Sequence, residues 1–274
     1  MRAWVNGTVV DDADARVSVF DHGLTVGDGV FETAKVVDGV PFALTRHLVR
    51  LGESAAGLGL TAPGPDDLRG AVDEVLSANA EHRGRPLRLR ITLTGGTSPL
   101  GSDRGDAGPT LVVALAPMAA WADSAKVVVV PWVRNERSAT AGLKTTSYAE
   151  NVVALAYAKQ RGGTEALFAN TVGDLCEGTG SNVFLVRDGE VVTPPLSSGC
   201  LAGVTRALLM EWADVAEKDL PMSALAEADE VFLTSSTRDV QAVHAVDDRV
   251  LEPGPVSRRL AEVFAARAAA DVDP

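Results

Sequence analysis

Lysine is scarce in this chain, with five residues against twenty arginines. Cysteine is scarcer still: only Cys176 and Cys200 are present, far apart in sequence, which excludes a disulfide framework. No signal peptide is evident, so the expectation is a soluble protein of a reducing compartment, the cytoplasm. His22, His47, His82 and His244 stand at no ligand spacing with the cysteines, and no metal site is expected. Basic residues form no run, and a net charge of −12 argues against a nucleic-acid partner. The longest apolar runs, such as residues 127–130, are strand-sized and too short for a bilayer, so no membrane partner is expected either. No internal repeat and no low-complexity tract is visible.

What is present is a chain of 274 residues, 46% apolar, enough for one large domain or two ordinary ones. Residues 3–10 are two short apolar runs around Asn6-Gly7, a strong hairpin signal. Residues 16–20 alternate like a strand, and residues 30–37 and 40–44 flank a turn at Asp38-Gly39. Residues 47–60 and 66–79 carry apolar positions at helical spacing, and residues 87–93 and 110–115 read as strands. Residues 117–124 form the best junction, which predicts domains at 1–118 and 119–274. Beyond it, strands are expected at 126–133, 165–170, 182–186 and 191–193, and helices at 150–160, 204–214 and 256–269. The fold class read from this order is α+β in two domains.

The chemistry concentrates in residues 143–184. Lys144 sits in a loop-like Ala-Gly-Leu-Lys-Thr-Thr setting. Unlike arginine, lysine can lose its proton when desolvated and condense with a carbonyl. Glu177 follows in a Gly-rich turn closed by Ser181-Asn182. A carboxylate there suits an electron-sink cofactor whose ring nitrogen needs an anionic partner. Taken singly, a loop lysine and a loop glutamate are ordinary surface residues.

Together these segments resemble the class IV (fold type IV) pyridoxal-phosphate enzymes. The matching stretches are Gly27-Asp28-Gly29-Val30-Phe31-Glu32-Thr33, His47-Leu48-Val49-Arg50-Leu51, Ala141-Gly142-Leu143-Lys144 with Ser147-Tyr148-Ala149-Glu150, Glu177-Gly-Thr-Gly-Ser-Asn-Val-Phe, Gly203-Val204-Thr205-Arg206, and Phe232 through Thr237. The resemblance implies an N-terminal α/β sandwich and a C-terminal domain, carrying the Schiff-base lysine, built on a barrel-like sheet with helices. It implies pyridoxal 5'-phosphate as cofactor, with Lys144 as the lysine that condenses with it and shuttles protons. Tyr148 would bond near the ring's phenolate oxygen, and Glu177 would keep the ring nitrogen protonated, its turn completed by Ser181 and Asn182. Arg50, Val204, Thr205, Ser236 and Thr237 would hold the phosphate. The family also implies a homodimer and a small-molecule amino substrate.

Substrate is the less settled part. Phe31 and Thr33 belong to the N-terminal signature; Phe31 is expected to bind substrate, and Thr33, which matches a threonine of the 4-amino-4-deoxychorismate lyases, is expected to be catalytic beside Lys144. The loop 94–102 departs from that pattern, with Gly95 and Leu100 where the lyases carry arginines, and the D-amino acid aminotransferase trap is replaced by Leu100 and Ser102. Arg90, Arg104 and Arg238 remain as carboxylate partners. The expectation is a lyase releasing pyruvate and 4-aminobenzoate, as in folate biosynthesis. The alternatives are an aminotransferase acting on branched-chain or D-amino acids with a 2-oxo acid acceptor and, more remotely, a catalytically silent ligand-binding protein.

Overall fold

Asn6 and Gly7 take φ angles of 46° and 93°. They turn the chain tightly between β1 (Arg2–Val5) and β2 (Thr8–Asp11), as a two-residue hairpin requires. In the computed structural model, which describes residues 1–274, the chain forms two units. The first holds Met1–Ala119, Leu143–Tyr148 and Val272–Pro274, and the second Ala120–Gly142 and Ala149–Asp271. The division at 118/119 assigns Lys144 to the second domain, whereas here Leu143–Tyr148 clusters with the first unit. The cause is pairing: Thr145 bridges Val30, and the Phe31 amide donates to the Lys144 carbonyl at 3.0 Å.

The first unit continues through the short α1 (His22–Thr25), β3 (Gly29–Val37), β4 (Val40–Pro41), α2 (Leu44–Gly57), α3 (Pro65–Ala78), β5 (Leu87–Thr94) and β6 (Thr110–Pro117). Its six strands lie in the order β2-β1-β6-β5-β3-β4, every pair antiparallel. Strand alternation sorts β3 into two faces. Val30, Ala34 and Val36 face a core shared with Leu48 and Leu51 of α2, Leu68 and Val72 of α3, and Leu89, Ile91 and Leu93 of β5. Phe31 and Thr33 take the other face, opposite Thr92 and Arg90. That second face carries chemistry because the first is committed to the helices.

Residues 16–20 are not a strand. They find no partner strand, and Val17, Val19 and Phe20 stay exposed. Alternation without a neighbouring strand does not make a sheet edge.

The second unit runs through β7 (Ser124–Arg134), α4 (Ala149–Gln160), β8 (Glu165–Asn170), β9 (Leu175–Gly178), β10 (Asn182–Arg187) and β11 (Glu190–Thr193). It then forms α5 (Val204–Trp212), β12 (Ala216–Glu217), α6 (Ala224–Glu227), β13 (Glu230–Ser235), β14 (Asp239–Val246), β15 (Arg249–Val250) and α7 (Pro255–Ala270). Nine strands make one curled, half-barrel sheet, ordered β12-β11-β10-β13-β14-β7-β8-β9 with β15 on β14. The β7–β8, β7–β14 and β11–β12 pairs are parallel. One face packs Val127, Leu167, Val183, Leu185, Leu233 and Val243 into a core. On the other, Ala154 and Ala158 of α4 cover Val128, Ala166 and Phe168. No helix is long and apolar enough to cross a membrane.

Candidate active site

In the first unit the Phe31 ring is a hub on the face of β3 away from the core. The Lys144 ammonium lies 4.5 Å from its centroid, and the Arg90 guanidinium 3.3 Å. Tyr148 meets the same ring edge-on at 5.1 Å. The Lys144 loop is held in place by backbone as much as by side chains. The Thr146 amide donates to the Gly29 carbonyl at 2.8 Å, and the Lys144 amide to Ser54 Oγ of α2 at 3.2 Å. Arg90 donates from Nε to Thr92 Oγ1 at 3.3 Å and forms no ion pair. Burial pushes its pKa down to about 10, a cost that the nearby Tyr148 and Glu32 offset only in part.

On the core side of the same strand lies a different arrangement. Glu32 is buried and accepts from Arg50 Nε at 2.7 Å and Nη2 at 2.8 Å. His47 Nδ1 stands 2.6 Å from the same carboxylate. The spacing of His47 and Arg50 on α2 places both over Glu32, three positions being nearly one helical turn. Burial alone would raise the Glu32 pKa, but the Arg50 and His47 charges outweigh it and hold the carboxyl far below the usual range.

In the second unit Glu177 lies on β9, not in the turn itself, and leads into a turn fixed from several directions. Its Oε2 accepts from the Leu201 amide at 2.9 Å, and Arg134 Nε lies 3.3 Å from Oε1. Arg134 also donates to Glu150 at 2.7 Å and stacks on Phe168. Asn182 donates to the Leu201 carbonyl at 2.9 Å, so the Leu201 peptide is gripped at both ends. A Cβ on Gly203 would fall 2.0 Å from Asn182 Oδ1, which explains a bare residue just before α5. Ser181 Oγ and the Thr179 amide donate to buried Glu165, at 3.1 and 3.0 Å, and the Thr179 hydroxyl reaches it too. The side chains of Ser181 and Asn182 thus hold the turn and the loop before α5.

Val204 and Thr205 open α5, buried, with Gly203 as N-cap and no side-chain cap. Helix geometry leaves their amides without an intrahelical acceptor. Ser236 and Thr237 occupy the turn between β13 and β14. Two expected carboxylate partners have other work. Arg104 reaches Asp28 through two hydrogen bonds of 2.7 and 2.6 Å and donates to the carbonyls of Leu58 and Gly59. Arg238 donates to Glu165 at 2.8 Å and to Gln241 at 3.1 Å. Of the three arginines, only Arg90 has no ion pair.

Residues 29–246 match the family described as amino-transferase class IV. The chain belongs to that family. A protein of Methanocaldococcus jannaschii, provisionally named a branched-chain-amino-acid aminotransferase, is 34% identical over 96% of this chain and 95% of its own length. The D-alanine aminotransferase of Staphylococcus haemolyticus is 29% identical over 96% of each chain. The solved structure of a hypothetical aminotransferase from Mycobacterium tuberculosis, in its PLP-bound form, superposes with a TM-score of 0.90 at 26% identity, covering 99% of this chain and 100% of that one. These names favour the aminotransferase alternative over the lyase.

Pyridoxal phosphate is the cofactor of class IV aminotransferases. The donor set present fits it: an amine at Lys144, a carboxylate at Glu177, and an arginine, a helix start and hydroxyls suited to a phosphate. Three buried side-chain atoms, Arg134 Nε, Arg206 Nε and Thr234 Oγ1, have no hydrogen-bond partner. Each belongs to, or borders, one of the second-unit segments just described. Arg134 Nε is at ion-pair distance from Glu177 but outside hydrogen-bond geometry.

Four residues in these networks escaped sequence reasoning: Glu32, Arg134, Glu165 and Asp28. The signal for Glu32 was present, since a carboxylate among Val30, Ala34 and Val36 on the core-facing phase of a strand demands a buried partner.

Proposed function

We propose that this chain transaminates branched-chain amino acids with a 2-oxo acid as acceptor. The observation that carries the reading is the Phe31 hub, which sets the Lys144 amine and Arg90, an arginine with no ion pair, against one apolar ring. A desolvated guanidinium without an ion pair is costly, and a substrate carboxylate offsets that cost. The apolar ring beside it suits a hydrocarbon side chain.

When bound, pyridoxal phosphate supplies an electron sink that loosens the hydrogen on the substrate carbon bearing the amine. Lys144 Nζ would take that hydrogen as a proton and give it back, while the amino group passes by way of the cofactor to the 2-oxo acid acceptor, so that one oxo acid and one amino acid leave for each pair consumed. Arg50, the amides of Val204 and Thr205, and the hydroxyls of Ser236 and Thr237 would bind the phosphate. Glu177 would hold the proton on the ring nitrogen, with Arg134 and the Leu201 amide orienting its carboxylate. Tyr148 would donate to the ring oxygen, and Phe31 and Thr33 would line the substrate's side. Val17, Val19, Phe20, Leu24 and Val26 expose apolar side chains along one segment. A second copy of the chain covers them in a homodimer of the cytoplasm.

The deciding assay offers the protein, loaded with pyridoxal phosphate, three substrate sets. These are L-valine, L-leucine or L-isoleucine with 2-oxoglutarate, D-alanine with 2-oxoglutarate, and aminodeoxychorismate alone. Glutamate from the first set is expected. Glutamate only from D-alanine moves the assignment to D-amino acids, and pyruvate with 4-aminobenzoate from the third restores the lyase. In the transaminase assay Arg90→Met should raise KM about 10- to 100-fold, the worth of a charge-assisted contact, with a smaller change in kcat.

A further inference from the structure

The second unit contains a buried ion pair that no step above uses. Glu165, at the start of β8, is 1% exposed, and Arg238, the last residue of the β13–β14 turn, has a side chain 6% exposed. They meet at 2.8 Å although 73 residues separate them in sequence. Glu165 Oε1 accepts from the Ala166 and Thr179 amides and from the Thr179 hydroxyl. Its Oε2 accepts from Ser181 Oγ and Arg238 Nη2. One carboxylate therefore holds the Gly178–Ser181 turn with one hand and Arg238 with the other.

Both ends are anchored. A Cβ on Gly178 would lie 2.4 Å from Ser181 Oγ and 3.2 Å from Glu165 Cδ, so the residue after Glu177 packs directly onto the carboxylate. The Thr179 carbonyl accepts from Asn151 of α4 at 2.6 Å. At the far end the Arg238 guanidinium lies 4.1 Å over the Trp121 ring and donates to Gln241, whose amide donates to the Ala122 carbonyl at 2.7 Å. The Arg238 amide closes the hydroxyl turn on the Ser235 carbonyl at 3.2 Å.

We propose that Glu165 and Arg238 form a strut that sets the spacing between the Glu177 turn and the Ser236-Thr237 turn. They are positioning residues: one turn addresses the cofactor's ring nitrogen, the other its phosphate, and a rigid molecule of fixed length needs both at once. The proposal rests on the reading of those two turns as cofactor-binding. A pair serving stability alone would need neither the Thr179 and Ser181 hydroxyls on the carboxylate nor a closed turn at Arg238.

The test titrates apoprotein with pyridoxal phosphate. It reads the dissociation constant, the phosphorus-31 resonance of the bound phosphate and the pH dependence of the cofactor's absorbance. Glu165→Gln alone strands the Arg238 charge and lowers stability together with affinity, so the informative variant is the pair Glu165→Gln/Arg238→Met, which removes both charges. It should melt near the parent temperature yet bind about tenfold or more weakly, with a displaced phosphorus resonance. Thr179→Val/Ser181→Ala keeps the ion pair and detaches it from the Glu177 turn. That variant should move the absorbance titration and leave the phosphorus resonance in place. Parental affinity and spectra in both paired variants would overturn the strut. Glu177→Gln and Ser236→Ala serve as references. If neither alters the spectra or affinity, the failure lies with the cofactor-binding reading of the turns.

Discussion

Glu32 and Arg50 face each other through two hydrogen bonds, of 2.7 and 2.8 Å, on the side of β3 opposite Phe31 and Thr33. One strand thus holds Arg50 on one face and the Phe31 ring on the other.

Replacing the carboxylate separates these roles. Glu32→Gln leaves Arg50 charged and buried without its counter-ion, which should cost about 3–5 kcal/mol in chemical denaturation. The pH dependence follows in sign. The folded carboxyl lies far below its ordinary value of 4.5, so its contribution is complete above that value. It declines as pH falls below 4.5 and is gone once pH passes the folded value. Between about pH 5 and 3 the parent should therefore lose stability more steeply than Glu32→Gln. Parallel acid profiles would show that Glu32 carries no such linkage.

Lys144→Ala should cut turnover by at least about 10³-fold while the protein still folds and takes up cofactor. Borohydride reduction of the parent holoprotein, followed by peptide mapping, should place the label on Lys144. A label on Lys126 or Lys159 would contradict the assignment.

Glu177→Gln keeps an oxygen for the Leu201 amide but removes the charge. The ring nitrogen should then lose its proton, and kcat should fall about 10²-fold or more while KM moves little. Single-turnover kinetics should locate the loss in proton removal. A parental kcat on the best substrate would make this carboxylate an ordinary loop residue.

Gly203→Ala adds a methyl whose carbon would lie 2.0 Å from Asn182 Oδ1. The backbone there, at φ −66°, accepts any residue, so the effect is one of space alone. Overpacking of this kind should cost about 1–3 kcal/mol and weaken cofactor binding. Asn182→Ala in the same chain should recover part of that stability, which a double-mutant cycle by thermal melting will show.

Local patterns made much of this legible. The Asn6-Gly7 hairpin, the strand Glu165–Asn170 and the helix Ala149–Gln160 follow from turn chemistry and periodicity, because neighbours in sequence decide them. Lys144 and Glu177 stood out because each sits in a motif. Long-range pairing was not legible. Arg104 reads as an open arginine until Asp28, 76 residues earlier, closes on it. Arg238 does so until Glu165 is found beside it. Residues 16–20 show the converse: their local alternation is strand-like, and no distant partner arrives to use it.

The tail Val272–Pro274 clusters with the first unit, where it completes α2. Ala43, the helix's own N-cap, is left-handed at φ 53° and offers no side-chain acceptor. Asp273 takes that place, accepting from the Thr45 amide at 2.7 Å across 228 residues of chain. A ribosome that has made β1 through β6 has therefore not yet made the cap of the helix bearing His47 and Arg50, nor the Lys144 segment that pairs with β3. The nascent first unit stays frayed at that helix end until Asp273 has been made, long after its own six strands.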